Sequence, residues 1–134
     1  MVMDTLKPVV IRGNNGFLKI DPCTLPGWVT ISIKSCDYEE EYIYWPLSHR
    51  GIMRWIIGFQ LVNESNVFVS SNIHATILVY KIGEDFYLSA YDLDDLKLVF
   101  TVSFTPGNFL AIANALRAYK KRWKVKPNKT ISRF

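Results

Sequence analysis

The chain is periodic on two scales at once, and that combination restricts its fold more than any single motif does. Residues 28–61 can be laid against residues 85–118, an offset of 57, without a gap. Val29 then falls on Phe86, Ile31 on Leu88, Ile33 on Ala90, Ile43 on Phe100, Trp45 on Val102 and Leu47 on Phe104. Past Leu47 and Phe104 the apolar spacing changes in both copies from two to three or four. There Ile52, Trp55, Ile56 and Phe59 answer Phe109, Ile112, Ala113 and Leu116. A period of two puts alternate side chains on opposite faces of a strand, whereas a period near 3.6 gathers them on one side of a helix. Both copies share the period and the place where it switches, which marks an internal repeat. Extended backward, the same offset sets Leu18 on Ala75 and Ile20 on Ile77.

The alternating segments 16–21, 28–35 and 41–47 are expected strands in the first copy, and 74–81, 85–91 and 97–104 in the second. They are rich in β-branched and aromatic residues. Gly83-Glu84 and residues 92–95 are turn-like. Short connectors between alternating strands indicate antiparallel pairing. Thr105-Pro106 starts the second helix, because a threonine hydroxyl can cap free N–H groups and proline suits the first helical position. Ser48 has the capping role in the first copy, whose helix runs to about Asn63 and is weakened by Gly51 and Gly58. Residues 67–69 are read as a possible short extra strand, and residues 8–11 as a strand or an arm. The expected fold is α+β, an internally duplicated β-β-β-α unit giving an antiparallel sheet with two helices packed on one face. Residues 1–124 make one domain from repeats at about 16–63 and 74–121, and residues 125–134 are a basic tail.

The apolar set should lie under the helices, which leaves an outward set of unusual composition. It reads Phe17, Lys19, Trp28, Thr30, Ser32, Lys34, Tyr42 and Tyr44, then Thr76, Leu78, Tyr80, Tyr87, Ser89, Tyr91, Lys97, Val99, Thr101 and Ser103. A merely solvated face would carry Glu, Gln, Lys and Arg. Aromatic rings can stack on unpaired bases, and hydroxyls and lysines can reach sugars and phosphates. Duplex fits less well, because its bases are already stacked and a broad sheet does not enter a groove. The same face could instead pack on another subunit.

Charge is polarised along the chain. Up to Asp95 there are seven basic residues against twelve acidic ones, and from Leu96 onward nine basic and none acidic. Arg117, Lys120, Lys121, Arg122, Lys124, Lys126, Lys129 and Arg133 surround Tyr119 and Trp123. A helix dipole favours two or three cations at a C-terminus, and eight is more than it needs. Basic residues interleaved with aromatics suit a phosphate-and-base clamp.

Catalytic patterns are lacking. His49 and His74 stand apart, and the sequence has no HxxxH, GxxxxGK[ST], GxGxxG or GxSxG. Arg12-Gly13-Asn14-Asn15-Gly16 is read as a turn, and the acidic runs 37–41 and 92–95 as solvated hairpin connections. Cys23 and Cys36 are not in a CxxC pair and are expected to be free thiols. No run of apolar residues is long enough to span a membrane, and residues 1–7 do not read as a secretion signal. An intracellular protein is expected, without enzymatic activity, cofactor, metal, membrane partner or small-molecule substrate.

Duplicated strands-then-helix units of this texture resemble the Whirly and PUR-type single-stranded nucleic-acid-binding proteins, and the kinetoplastid mitochondrial guide-RNA-binding proteins that share the arrangement. The local match is to residues 84–91, 100–105 and the helix to Lys121, similar to the aromatic strand, polar turn, strand and helix that end a Whirly domain. The chain has no Lys-Gly-Lys-Ala motif of the plant Whirly proteins. The resemblance implies a homo-oligomer, dimer or tetramer, binding across the sheet with little sequence preference. The expected function is binding of single-stranded nucleic acid, DNA ahead of RNA. The expected contacts are Trp28, Lys34, Tyr42, Tyr44, Tyr87, Tyr91 and Lys97 on the sheet, with Lys120, Lys121, Arg122, Trp123 and Lys124 at the helix end. The alternative is a viral or phage assembly protein whose sheet face joins subunits. A third possibility is a protein-binding module of the inhibitor or immunity type.

Overall fold

The structure, a computed structural model, describes residues 7–22, 28–36, 42–63, 66–72, 75–92 and 97–122. Antiparallel strands β1 (Val9–Arg12), β2 (Gly16–Pro22), β3 (Val29–Ser35) and β4 (Tyr42–Leu47) form one sheet in sequence order, followed by helix α1 (His49–Asn63). Strands β5 (Phe68–Ser71), β6 (Ala75–Ile82), β7 (Asp85–Asp92) and β8 (Lys97–Phe104) form a second sheet in the same way, followed by helix α2 (Pro106–Arg122). The fold is therefore α+β, duplicated and antiparallel. Each unit has four strands where three were expected, and the strands divide into two sheets instead of one. Both segments read only as optional strands, 8–11 and 67–69, become the first strand of their sheet.

Pairing registers correct the alignment of the copies. Ile20 lies opposite Ile31, and the matching pair is Val79 with Leu88, so Ile20 answers Val79 and not Ile77. In the same way Leu18 answers Ile77, through its pairing with Ile33 where Ile77 pairs with Ala90. The offset is thus 59 for the first two strands and returns to 57 from β3 onward. The cause is the tighter second hairpin, where only Gly83 and Glu84 separate the Ile82–Asp85 pair. Gly83 has a φ of 66°, which it enters without a Cβ clash.

The helices begin as expected. The Ser48 Oγ accepts from the Gly51 N–H at 3.2 Å and the Thr105 Oγ1 from the Asn108 N–H at 3.3 Å. Each helix packs partly on the other unit: α1 on β5 and β6 as well as β4, and α2 on β1 and β2 as well as β7 and β8. A single apolar cluster results. Phe109 of α2 is stacked between Phe59 of α1 (4.8 Å between centroids) and Phe86 of β7 (3.9 Å). Gly58 is buried because the Phe68 ring of β5 occupies the space a Cβ would need. The glycine that lowers helix propensity is thus where α1 locks onto the second sheet.

The Arg12–Gly16 turn also joins the halves. Asn15 Nδ2 donates to the Thr101 carbonyl (2.8 Å) and its Oδ1 accepts from the Ser103 N–H (2.9 Å). The Asn14 N–H donates to the Ser103 carbonyl at 2.8 Å. The turn thus satisfies the free edge of β8, where unpaired backbone groups are otherwise a pairing hazard. Gly13 permits the approach, since a Cβ there would lie 2.5 Å from the Ser103 carbonyl oxygen.

Candidate nucleic-acid interface

Both sheets turn their apolar side to the helices, so two separate outer faces replace the single one expected, and they differ in charge. On the first sheet, cross-strand register sets Arg12, Phe17, Lys34 and Tyr42 in one row and Val10, Lys19, Ser32 and Tyr44 in the next. Side chains directly opposite on one face are about 4.5–5.5 Å apart at Cβ, so each row is contiguous. Arg12 is exposed, and Phe17, Lys19 and Lys34 are half-buried. Lys19 is partly neutralised by Asp21, 3.6 Å away. Trp28 precedes β3 and is exposed. Of Tyr42 and Tyr44 only the backbone is described.

The second outer face carries one carboxylate among the described residues, Asp85, at the turn end opposite Ile82. Its rows are Tyr80, Tyr87 and Ser103; Val69, Leu78, Ser89 and Thr101; and Ser71, Thr76, Tyr91 and Leu98. No lysine or arginine stands on it among the described residues. Lys81 lies on the helix side, over the Phe86 ring. Lys97 is a correction. Simple alternation places it outward, but a bulge leaves Val99 without a cross-strand partner, so Tyr91 pairs with Leu98 and Asp92 with Lys97. One extra residue reverses the side on which the rest of the strand points. Lys97 therefore stands across from Asp92 and away from Tyr91.

Hydrogen bonds tie the second face to itself. The Tyr80 and Tyr87 rings stack at 5.6 Å. The Tyr80 hydroxyl and Ser89 Oγ lie 2.8 Å apart, Ser89 Oγ and Thr101 Oγ1 2.9 Å, and Ser71 Oγ and Thr76 Oγ1 2.9 Å. Ser89, expected to be an exposed hydroxyl, is only 1% exposed.

The basic helix end belongs to the first sheet. Tyr119 continues the apolar stripe of Phe109, Ile112, Ala113 and Leu116 and was also grouped with the cationic clamp; it is buried with that stripe, and its hydroxyl bonds the Lys7 and Ile20 carbonyls. It is a core anchor and does not offer a ring to a base. Its bonds fix the last turn of α2, carrying Lys120 and Lys121, beside β1 and β2. Arg122 ends the helix with its side chain outside the described atoms, and Trp123 and Lys124 lie outside the described residues. Arg12 was missed by sequence reasoning. The alternation in Val9-Val10-Ile11-Arg12 was visible, but its value depended on β1 being a strand of this sheet.

Among the described residues no three His, Cys, Asp or Glu side chains gather to hold a metal, and no helix is long and apolar enough to cross a membrane. Cys36 is an exposed free thiol, and Cys23 lies outside the described residues. No protein-family model and no curated protein matches the chain.

Proposed function

We propose that the chain binds single-stranded nucleic acid across the outer face of the first sheet. The observation that carries this reading is the gathering of cations with an aromatic ring on that outer face and, among the described residues, not on the other. Arg12 and Lys34 flank Phe17 in one row, with Lys19 in the next. The α2 end with Lys120 and Lys121 lies toward the other end of β1 and β2, where Tyr119 bonds the Lys7 and Ile20 carbonyls, while Asn108 at the start of α2 donates to the Arg12 carbonyl. Single strands need both parts: cations for phosphates and ring faces for bases. A sheet offers no shape that enters a duplex groove, so little affinity for duplex and little sequence preference follow. Tyr87 and Tyr91, chosen from sequence, leave the contact set in this reading because they stand on the face without cations.

The test is fluorescence anisotropy with labelled single-stranded DNA, single-stranded RNA and duplex of one length at two salt concentrations. Binding that prefers a single strand and weakens steeply with salt is expected, and the two single strands separate DNA from RNA. Equal weak binding to all three would refute the proposal.

A further inference from the structure

We infer that the outer face of the second sheet is a self-association surface, on which a second copy of this chain packs sheet against sheet. The two units agree inside and disagree outside. Where the first carries Arg12, Lys19 and Lys34, the registers place Ser71, Leu78 and Tyr91 in the second. Most inward positions are apolar in both, as in Ile20 with Val79 and Ile31 with Leu88; Ser70, which answers Ile11, is an exception and accepts from the Trp55 indole. Among the described residues the second sheet carries no outward cation, which removes the means of holding phosphate and the repulsion a copy would meet.

Most hydroxyls at the centre of this face are already paired. Tyr80, Ser89 and Thr101 form one hydroxyl chain and Ser71 with Thr76 another, and Asn14 donates to Ser103 and Asp85 at the turn end. Covering these groups strands no donor or acceptor, which lowers the desolvation penalty, while the Tyr87 and Tyr91 hydroxyls need a partner or the rim. Exposed apolar side chains share the face: Val69 and Leu98 are 53% and 51% exposed, beside the stacked Tyr80 and Tyr87 rings. Strands about 4.8 Å apart and about 3.3 Å per residue give this face roughly 500 Å² in projection, so two copies bury on the order of 1,000 Å², the lower range for a specific interface. A polyanion gains little from a face without cations, and the first sheet would repel its own copy. A face without cations, whose single carboxylate lies at its turn end, is compatible with itself.

The test is the mass of the full chain by sedimentation velocity, over about a hundredfold concentration range with no nucleic acid present. A dimer is expected. Val69→Lys with Leu98→Lys places like charges across the interface and should raise the dissociation constant by at least about tenfold. Both sites are half-exposed, so circular dichroism should show a folded monomer. Ile57→Lys with Leu110→Lys, on the exposed helix surface, should leave the dimer intact. A wild-type monomer throughout would overturn the inference. So would a dimer unaffected by the sheet variant, or one broken by the helix variant instead. Because no strand is present, this result and the strand-binding result stand or fall separately.

Discussion

Replacing Arg12 and Lys34 together by alanine tests the charge arrangement on the first sheet. In the proposed reading four cations meet phosphates: Arg12 and Lys34 on the face, and Lys120 and Lys121 at the end of α2, toward the Ile20 end of β2. Lys19 is left out of the count because Asp21 already neutralises part of its charge. Each phosphate contact on a single strand contributes about 0.7 to the slope of log K against log salt, so the wild-type slope is about −2.8. Between about 50 and 200 mM salt, affinity should then fall roughly 50-fold. With two contacts removed the slope drops to about −1.4 and the loss over the same interval to roughly sevenfold. Anisotropy titrations at four or more salt concentrations measure both slopes. The slope is the better observable, because a partly unfolded variant lowers apparent affinity at every salt concentration and leaves the slope alone. A double variant that is folded and keeps the wild-type slope would show that phosphates do not lie on this sheet.

Phe17→Ala should weaken single-strand binding by about 1–3 kcal/mol if a base stacks there, while Tyr87→Ala leaves it unchanged; equal losses would return both sheets to the contact surface. Asn15→Ala should lower the melting temperature by about 4–10 °C, because the Thr101 carbonyl and Ser103 N–H lose their partners at a cost of about 1–3 kcal/mol. A calorimetric scan checks this, and no change would mean the turn does not secure β8. Gly58→Ala pits a helix-propensity gain of about 1 kcal/mol against about 1–3 kcal/mol of overpacking. Its Cβ would meet Phe68 at 2.2 Å, and that ring is held edge-on by Trp55 and Phe59. A lower melting temperature is expected, and a higher one would refute the argument.

The strands, the switch to helix and both capping hydroxyls were legible because each follows from periodicity or local chemistry. The buried set was legible for the same reason: Ile31, Trp45, Leu88 and Phe104 all face the helices. What periodicity reports is which side a residue faces, not which strand lies beside it. Division into two sheets was therefore hidden, and with it the fact that Lys34 and Tyr91 occupy equivalent places on different surfaces. Short strands hid too, since Val9–Arg12 and Phe68–Ser71 have four residues each and offer barely two alternations. The bulge beside Tyr91 changed Lys97 from an outward residue to an inward one without any glycine or proline to mark it. Tyr119 was ambiguous because its ring fits an apolar stripe while its hydroxyl suits a polar surface. Burial with a backbone partner satisfies both halves at once.

Duplication explains why the two outer faces can differ so completely. A sheet's inner residues answer to the shared core, where Phe59, Phe86 and Phe109 from both units stack in one column and a change in either is felt by the other. Outer residues answer only to what covers them. The core therefore holds two similar frames in a fixed relation while each face takes its own chemistry. The crossed packing of the helices reinforces this, since α2 packs on β1 and β2 as well as on its own sheet. The first unit carries Arg12, Phe17 and Lys34, and the second holds the turn that follows Arg12: Asn108 of α2 donates to the Arg12 carbonyl at 2.9 Å, and the Thr101 carbonyl and Ser103 N–H bond Asn15. The proposed strand site thus lies on one sheet while its geometry depends on both units.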